Sequence, residues 1–374
     1  MILHIGLVAR CLNTSHVRGM GKYLYELLKQ SDEYTDLSWC LFADNIREKM
    51  HVPETSRVRH DVFSFRGDRY RLWEQIGLPL HALKYHVDLL HCTENTLSLW
   101  QPKPTVVTLH DTLLWDEERT GTEKFYYNTL LPIALNRCAA IITISQSSKN
   151  DILAKWPYFE SKLSVIYHGI SEDYFADEIP QMPPDIQRFT DTTPYLLYLG
   201  GSIERKRFTW ALEILARSPT KPLKLVACGF GAEARRNALS NLPHELQGRV
   251  YFASYLSDAE LRTLYRAARA VLYPSLYEGF GFPAIEAQAA GTPVIFSAVG
   301  SLGELDGPLA RVVPAHDIDA WLAAVADVIT MNEKRLEAAQ AARLWAQQFT
   351  WSASFEKHLA VYQRVVEQSA GRRR

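Results

Sequence analysis

The sequence predicts an α/β protein of two successive domains, each a mostly parallel, doubly wound sheet with helices on both faces. Three observations carry that expectation. Short apolar runs of strand length alternate with stretches of helical periodicity along nearly the whole chain. The alternation breaks once, between 176 and 193, where Pro180, Pro183 and Pro184 stand among few aliphatic residues, and then restarts. The length, 374 residues, exceeds what one core usually organises, roughly 100–200 residues per domain.

Taken in order, residues 2–8 read as a first buried strand. The run is apolar but short, and it lacks the basic leader of a secretion signal. A polar loop with Gly19 and Gly21 follows, and Met20, Leu24, Leu27 and Leu28 then recur at helical spacing. Further strands are expected at 39–42, 89–92, 105–109, 140–144 and 163–166, with helices between several of them. After the proline-rich passage, strands are expected at 195–199, 223–227, 250–253, 270–273, 292–296 and 311–313. A last helix, 353–368, aligns Phe355, Leu359, Tyr362 and Val366 on one face. The expected domains are 1–175 and 194–350, joined by a linker at 176–193, with a C-terminal helix in 351–374 returning to the first domain. Hinges are expected near 170–194 and around 350.

Composition excludes several classes. The net charge is −1, from 41 Lys+Arg and 42 Asp+Glu, so nothing points to a nucleic-acid partner. The five cysteines are widely spaced, odd in number and show no CxxC pair. That argues against a disulfide framework or a zinc site and fits a reducing cytoplasm. No run approaches the ~18–20 apolar residues that span a bilayer. A cytoplasmic location is expected, with peripheral contact at the inner face of the membrane left open.

The chemistry concentrates in 271–303. A strand runs into Glu278-Gly279-Phe280-Gly281-Phe282, and Pro283 then stands where a helix should begin. The glycines let backbone approach a ligand. The helix start presents N–H groups and a partial positive charge suited to phosphate. Glu286, one turn in, suits hydroxyls such as those of a ribose, and Glu278 lies where it can reach a sugar. Together the Glu278-x7-Glu286 spacing, the embedded EGFGFP and the following AxxxGTPVI resemble the signature of the family-four retaining glycosyltransferases.

That resemblance implies the GT-B fold: two Rossmann-like doubly wound domains facing across a cleft. It implies a nucleotide-diphosphate sugar as donor, a glycan or lipid-linked acceptor, retention of anomeric configuration and no metal. It also implies roles. Lys206, with Arg205, follows a Gly-Gly turn and resembles the family's phosphate-binding basic pair. The family's arginine five residues before that lysine is Gly201 here, so its role is absent or falls to Arg205 or Arg207. Arg18-Gly19-Met20-Gly21-Lys22 resembles the glycine loop near donor phosphates and acceptor. His110, at a strand end, resembles the histidine that faces the donor sugar. The implied catalytic set is Glu278, Lys206 and His110. The implied donor-binding set is Gly19, Gly21, Arg205, Lys206, Glu278, Gly279, Phe280, Gly281, Phe282 and Glu286, with the N–H groups of residues 281–285 on the leaving phosphate. The Gly-Gly-plus-Arg-Lys variant resembles bacterial enzymes that move mannose or rhamnose in surface polysaccharide assembly.

Other signals compete. Gly229-Phe230-Gly231-Ala232-Glu233-Ala234 has the form of a dinucleotide fingerprint, which favours an NAD- or FAD-dependent oxidoreductase. It falls on the second strand of its domain, though, and lacks the acid ~20 residues on; a glycine turn beside the base pocket explains it as well. A non-catalytic sugar-nucleotide-binding subunit is a further class, disfavoured because Glu278, Glu286 and Lys206 are all present. Asp317-Ile318-Asp319 reads as a helix cap at Asp317 before it reads as a metal site. Arg57, Arg59, Arg66, Arg69 and Arg71, interleaved with Phe63, Phe65, Tyr70 and Trp73, suit anionic lipid head groups or a diphospholipid acceptor, and equally a solvated loop.

Overall fold

The computed structural model describes all residues except 1, 16, 18, 55–56, 67, 69–70, 116–120, 177–180, 192, 221, 332–334 and 372–374. Arg18, Arg69, Tyr70 and Pro180 thus lie outside the described residues. The chain forms two units, Met1–Gly169 with Trp351–Arg374, and Ile170–Thr350.

The first unit holds a seven-stranded sheet of β1 (Leu3–Val8), β2 (Leu37–Ala43), β3 (Val58–Val62), β4 (Leu89–Cys92), β5 (Thr105–Leu109), β6 (Ala140–Thr143) and β7 (Leu163–Val165). Their spatial order is β3-β2-β1-β4-β5-β6-β7, and every pairing is parallel. The central strands β4, β5 and β6 are buried at every position. A parallel sheet covered on both faces requires this, and it is why these runs read as largely apolar. The second unit holds β8 (Tyr195–Leu199), β9 (Lys224–Cys228), β10 (Val250–Phe252), β11 (Ala270–Tyr273), β12 (Val294–Phe296) and β13 (Ala310–Val312). They are ordered β10-β9-β8-β11-β12-β13, again all parallel. Chain order reverses between β1 and β4 in one sheet and between β8 and β11 in the other. The splayed loops at such a reversal leave a crevice beyond the carboxyl ends of the strands.

Several expectations are corrected. The basic-aromatic stretch contains a strand, β3, at the sheet edge. Its sequence, Val-Arg-His-Asp-Val, carries exposed charge as edge strands do, which removes the apolar signal. Two of its aromatic neighbours turn inward, while Phe65 stays exposed: Phe63 stacks on His81 and Trp73, and the buried Trp73 indole N–H donates to the Ala43 carbonyl at 3.2 Å. The expected linker at 176–193 contains the helix Pro184–Thr190, with Pro184 at its start and Ile186 buried. The unit boundary falls between 169 and 170, ahead of the expected 175. In the last helix, Trp351–Gly371, the core face includes His358 and Val365 rather than Leu359 and Val366.

Two helices of the first unit contain π-type turns, Trp73–Gly77 before Leu78–Lys84 and Tyr126–Leu130 between Gly121–Phe125 and Leu131–Arg137. Each precedes a proline, Pro79 and Pro132. A proline ring clashes with the carbonyl four residues back and offers no N–H, and a wider turn accommodates both problems. The turns are tied together, since the Tyr126 hydroxyl donates to the buried Glu74 carboxylate at 2.7 Å.

Candidate active site: the two strand-reversal points

In the second unit the reversal between β8 and β11 gathers the residues singled out above. After β8 the chain turns through Gly200 and Gly201 into a short 3-10 turn, Glu204–Lys206. After β11 comes Ser275, then Glu278. Glu278, 8% exposed, accepts from the Ser275 hydroxyl at 2.7 Å and faces Arg205 Nη1 at 2.9 Å and Lys206 Nζ at 3.6 Å. Arg205 also donates to the Tyr277 carbonyl, and the Leu276 N–H donates to the Arg205 carbonyl at 2.8 Å, so the two loops are laced together. Lys206 Nζ lies 5.6 Å over the buried Tyr273 ring. Burial and the adjacent Glu278 carboxylate raise the Tyr273 phenol well above its usual value, keeping it neutral.

The open question at Gly201 has a steric answer. Gly201 has φ +58°, and a Cβ there would fall 2.3 Å from the Gly229 carbonyl oxygen. No arginine fits. Of the two substitutes, Arg207 is committed elsewhere: it stacks 3.9 Å from the Trp210 ring and donates to the Ala315 carbonyl at 2.5 Å. Arg205 is the one that meets Glu278.

The same contact accounts for the dinucleotide-like motif. Gly229 packs its backbone on Gly201, and Phe230 packs between Phe208 (4.8 Å) and Phe252 (5.0 Å). Gly231 caps the helix Ala232–Ser240. The glycines serve turn packing on the second strand of the sheet.

Gly281, at φ +104°, caps the helix Phe282–Ala289, which therefore starts one residue before Pro283. Pro283 has no N–H, and that of Ala284 bonds the Gly281 carbonyl at 2.9 Å. The anion-facing amides expected across 281–285 are fewer by those two. The loop Glu278–Phe280 is held by Ser301, whose hydroxyl donates to both the Glu278 and Phe280 carbonyls. Glu286, 6% exposed, accepts from the Tyr265 hydroxyl at 2.7 Å and also bonds Tyr174. Asp317 caps the helix Ile318–Thr330 through the Ala320 N–H, and Asp319 pairs with Arg217 at 3.2 Å.

In the first unit, Gly19 opens the helix Gly19–Gln30, and Gly21 sits where a Cβ would lie 2.7 Å from the Cys11 carbonyl oxygen, packing that helix onto the loop after β1. His110 follows β5. Its backbone N–H donates to Asn95 Oδ1 at 2.6 Å, and its Nε2 meets the Thr93 carbonyl at 2.8 Å. A carbonyl only accepts, so Nε2 carries the proton. Burial lowers the His110 pKa to about 4. The ring is neutral at pH 7, and Nδ1 remains as an acceptor.

A further polar group escaped the sequence reading. The His358 Nδ1–H donates to the Ser354 carbonyl at 2.8 Å, so His358 Nε2 accepts from the Tyr23 hydroxyl at 2.8 Å. Tyr23 then accepts from the Thr108 hydroxyl at 3.1 Å, which accepts from His91 Nε2 at 2.8 Å. His91 Nδ1 accepts from Tyr362 at 2.8 Å. One carbonyl thus orients a neutral relay that ties the last helix to β4, β5 and the helix Gly19–Gln30. No residue type or spacing announces it, because its members are scattered singly from 23 to 362.

Two parallel sheets with helices, the second carrying two cations and a glutamate at its reversal point, define the class, and structural comparison agrees. The Anabaena protein HepE, solved in complex with UDP and glucose, superposes with a TM-score of 0.71 at 18% identity, covering 99% of this chain and 100% of that one. The fold is GT-B. Residues 17–174 match the model of Glycosyltransferase Family 4, and residues 184–345 that of Glycosyl transferases group 1. A D-inositol 3-phosphate glycosyltransferase of Corynebacterium aurimucosum is 37% identical over 310 residues, 79% of this chain and 70% of that protein. The O-antigen chain mannosyltransferase B of Escherichia coli is 26% identical over 355 residues, 89% and 92% of the two chains. The chain belongs to the family-four, group 1 glycosyltransferases and is a glycosyltransferase.

Proposed function

We propose that the chain is a retaining hexosyltransferase that moves a mannose- or rhamnose-like sugar from a nucleoside-diphosphate donor to a glycan or lipid-linked acceptor in surface polysaccharide synthesis. The observation that carries this reading is the cation excess at the second reversal point, where Arg205 and Lys206 share the single carboxylate of Glu278 beside the start of the helix Phe282–Ala289. Phosphate oxygens are strong partners for both cations. Their arrival releases Glu278 toward the donor sugar's hydroxyls, while Glu286 takes the ribose. As the bond from the anomeric carbon to the diphosphate breaks, Arg205 and Lys206 stabilise the charge growing on the leaving oxygen. The acceptor oxygen bonds the same face of that carbon, and its proton passes to the departing phosphate. His110, neutral, accepts a sugar hydroxyl at Nδ1. The O-antigen mannosyltransferase relative supports the sugar and pathway class, and the UDP complex of HepE supports the donor class. No metal takes part in this scheme, so turnover should survive chelation.

The test is a thermal-shift panel of GDP, UDP, dTDP, ADP and CMP with NAD as control. A ligand at 100 times its Kd adds about 2.7 kcal/mol, and each kcal/mol raises the midpoint roughly 2–4 °C. A shift with one nucleoside diphosphate alone supports the reading and names the base; a shift with NAD alone sinks it.

Membrane contact has its own observation. Leu72, Ile76, Leu80 and Leu83 are 38–49% exposed at helical spacing, flanked by exposed Arg71 and Lys84, while Glu74 is buried. An apolar face with cationic ends suits the surface of an anionic bilayer. Cosedimentation should favour anionic over neutral liposomes and weaken in Ile76→Glu; indifference to lipid charge counts against it. No described helix is long and apolar enough to cross a membrane.

A further inference from the structure

The reversal point of the first sheet also carries a cation and a glutamate, with a different balance. Arg10 follows β1 and Glu94 follows β4, and they meet at 3.3 Å with side chains 14% and 9% exposed. The second Glu94 oxygen accepts the Cys11 N–H at 2.8 Å. A carboxylate therefore occupies the backbone amide that a phosphate would use at this point of a doubly wound sheet. Arg10 is further confined, 5.3 Å over the ring of Trp73. Beside the pair opens a cleft of about 650 Å3 whose walls include Asn13, Asp44, Asn45, Thr96 and Tyr127. Its size falls in the roughly 300–1,000 Å3 range of small-molecule sites. The Asp44 carboxylate makes no hydrogen bond or ion pair with any described residue. Among the described residues Arg10 is the only cation lining the cleft, against two carboxylates.

The walls are firm. Tyr127, a wall residue, and Trp73, the ring beneath Arg10, belong to the two π-type turns joined through Glu74 and Tyr126. Asn95, between the lining residues Glu94 and Thr96, holds the backbone of His110. The cleft is thus built on the same loop that fixes the histidine.

Carboxylates, amides and hydroxyls beside an aromatic ring are partners for a sugar's hydroxyls and its C–H face. Two carboxylates repel a phosphate. We propose that this cleft receives an uncharged, polyhydroxylated sugar residue of the acceptor and excludes a phosphorylated one, with Asp44 and Glu94 as the residues that set the choice. The inference rests on the transferase reading. It separates this chain from its relatives named for D-inositol 3-phosphate, whose named substrate is an anion.

The experiment titrates the full-length chain and its Asp44→Asn and Glu94→Gln variants with mannobiose, methyl α-mannoside and mannose 6-phosphate, read by saturation-transfer NMR and calorimetry. In the unaltered protein mannobiose should bind at least about tenfold more tightly than mannose 6-phosphate, a gap near 1.4 kcal/mol. Asp44→Asn, which breaks no contact within the described residues, should strengthen mannose 6-phosphate and narrow the gap to mannobiose, and Glu94→Gln should act in the same direction. Preference for mannose 6-phosphate in the unaltered protein, no binding of any of the three sugars, or an Asp44→Asn variant with unchanged affinity for the phosphate overturns the proposal. A nucleoside-diphosphate thermal shift on the same samples keeps the readings apart. With the shift present, a failure at the cleft sinks this inference alone; with it absent, the proposed nucleoside-diphosphate donor fails.

Discussion

The two units place a basic residue after the first strand and a glutamate after the fourth, at the same reversal of strand order. In the second unit two cations face one carboxylate; in the first, one arginine and two carboxylates line a cleft, and only Glu94 pairs with the arginine. The backbone topology decides where a ligand goes, and the loop charges decide what kind it is. The buried polar groups differ in the same way. The first unit buries His91, His110, His168 and His358, all held neutral by burial. The second unit's histidines, His244 and His316, are exposed; it buries the carboxylates Glu278 and Glu286, where the first unit buries Glu74 beside its four histidines.

The largest test of this contrast removes the cation excess. Lys206→Ala should lower turnover about 10²–10³-fold with an unchanged melting profile; near-normal kcat would take Lys206 out of the chemistry and erase the functional difference between the reversal points.

The next acts on the first unit through pH. The pKa values of His110 and His358 are lowered from 6.5 to about 4. Between those values the unfolded chain binds protons that the folded chain refuses, so stability is full above pH 6.5, falls as pH drops, and stops falling below about 4. Each histidine then removes about 3 kcal/mol across that window. Calorimetry from pH 7.5 to 5 should show a falling midpoint. His358→Gln, which still accepts from Tyr23 but cannot be charged, should flatten the fall; an equal slope in that variant would break the link.

A smaller effect concerns the turn that replaced the family's arginine. Gly201→Arg should destabilise the second unit by about 1–3 kcal/mol and restore no activity to Lys206→Ala, because the side chain must enter at the Gly229 carbonyl. Activity regained there would mean Arg205 is not the substitute. Smallest is Asp317→Ala, which loses one helix cap worth about 1 kcal/mol and should leave turnover untouched with or without divalent metal.

These contrasts were unevenly visible in the sequence. The buried strands of both sheets announce themselves, since a strand covered on both faces is mostly apolar, as in Ala140-Ile141-Ile142. The edge strand Val58–Val62 has only one side to bury and hides among charges. The segment from Glu278 to Glu286 is legible because its parts are contiguous. The pair Arg10–Glu94 joins residues 84 positions apart in loops of no special composition, and the histidine relay joins others farther still. Such contacts exist only once the sheet has brought strand ends together. The linker expectation failed at Pro184 because a proline that ends one helix is equally fit to begin another.

The first unit is assembled from both ends of the chain, Met1–Gly169 and Trp351–Arg374. On the ribosome this sets an order of completion opposite to the order of synthesis. At roughly 5–20 residues per second, the first unit waits on the order of ten seconds or longer for its last helix, while Ile170–Thr350 emerges whole and can close. Until His358 and Phe355 arrive, the Tyr23 hydroxyl lacks its acceptor, and Tyr34 and Trp39 lack the ring that packs on them. The unit that starts first finishes last, and until then its aromatic face stays uncovered.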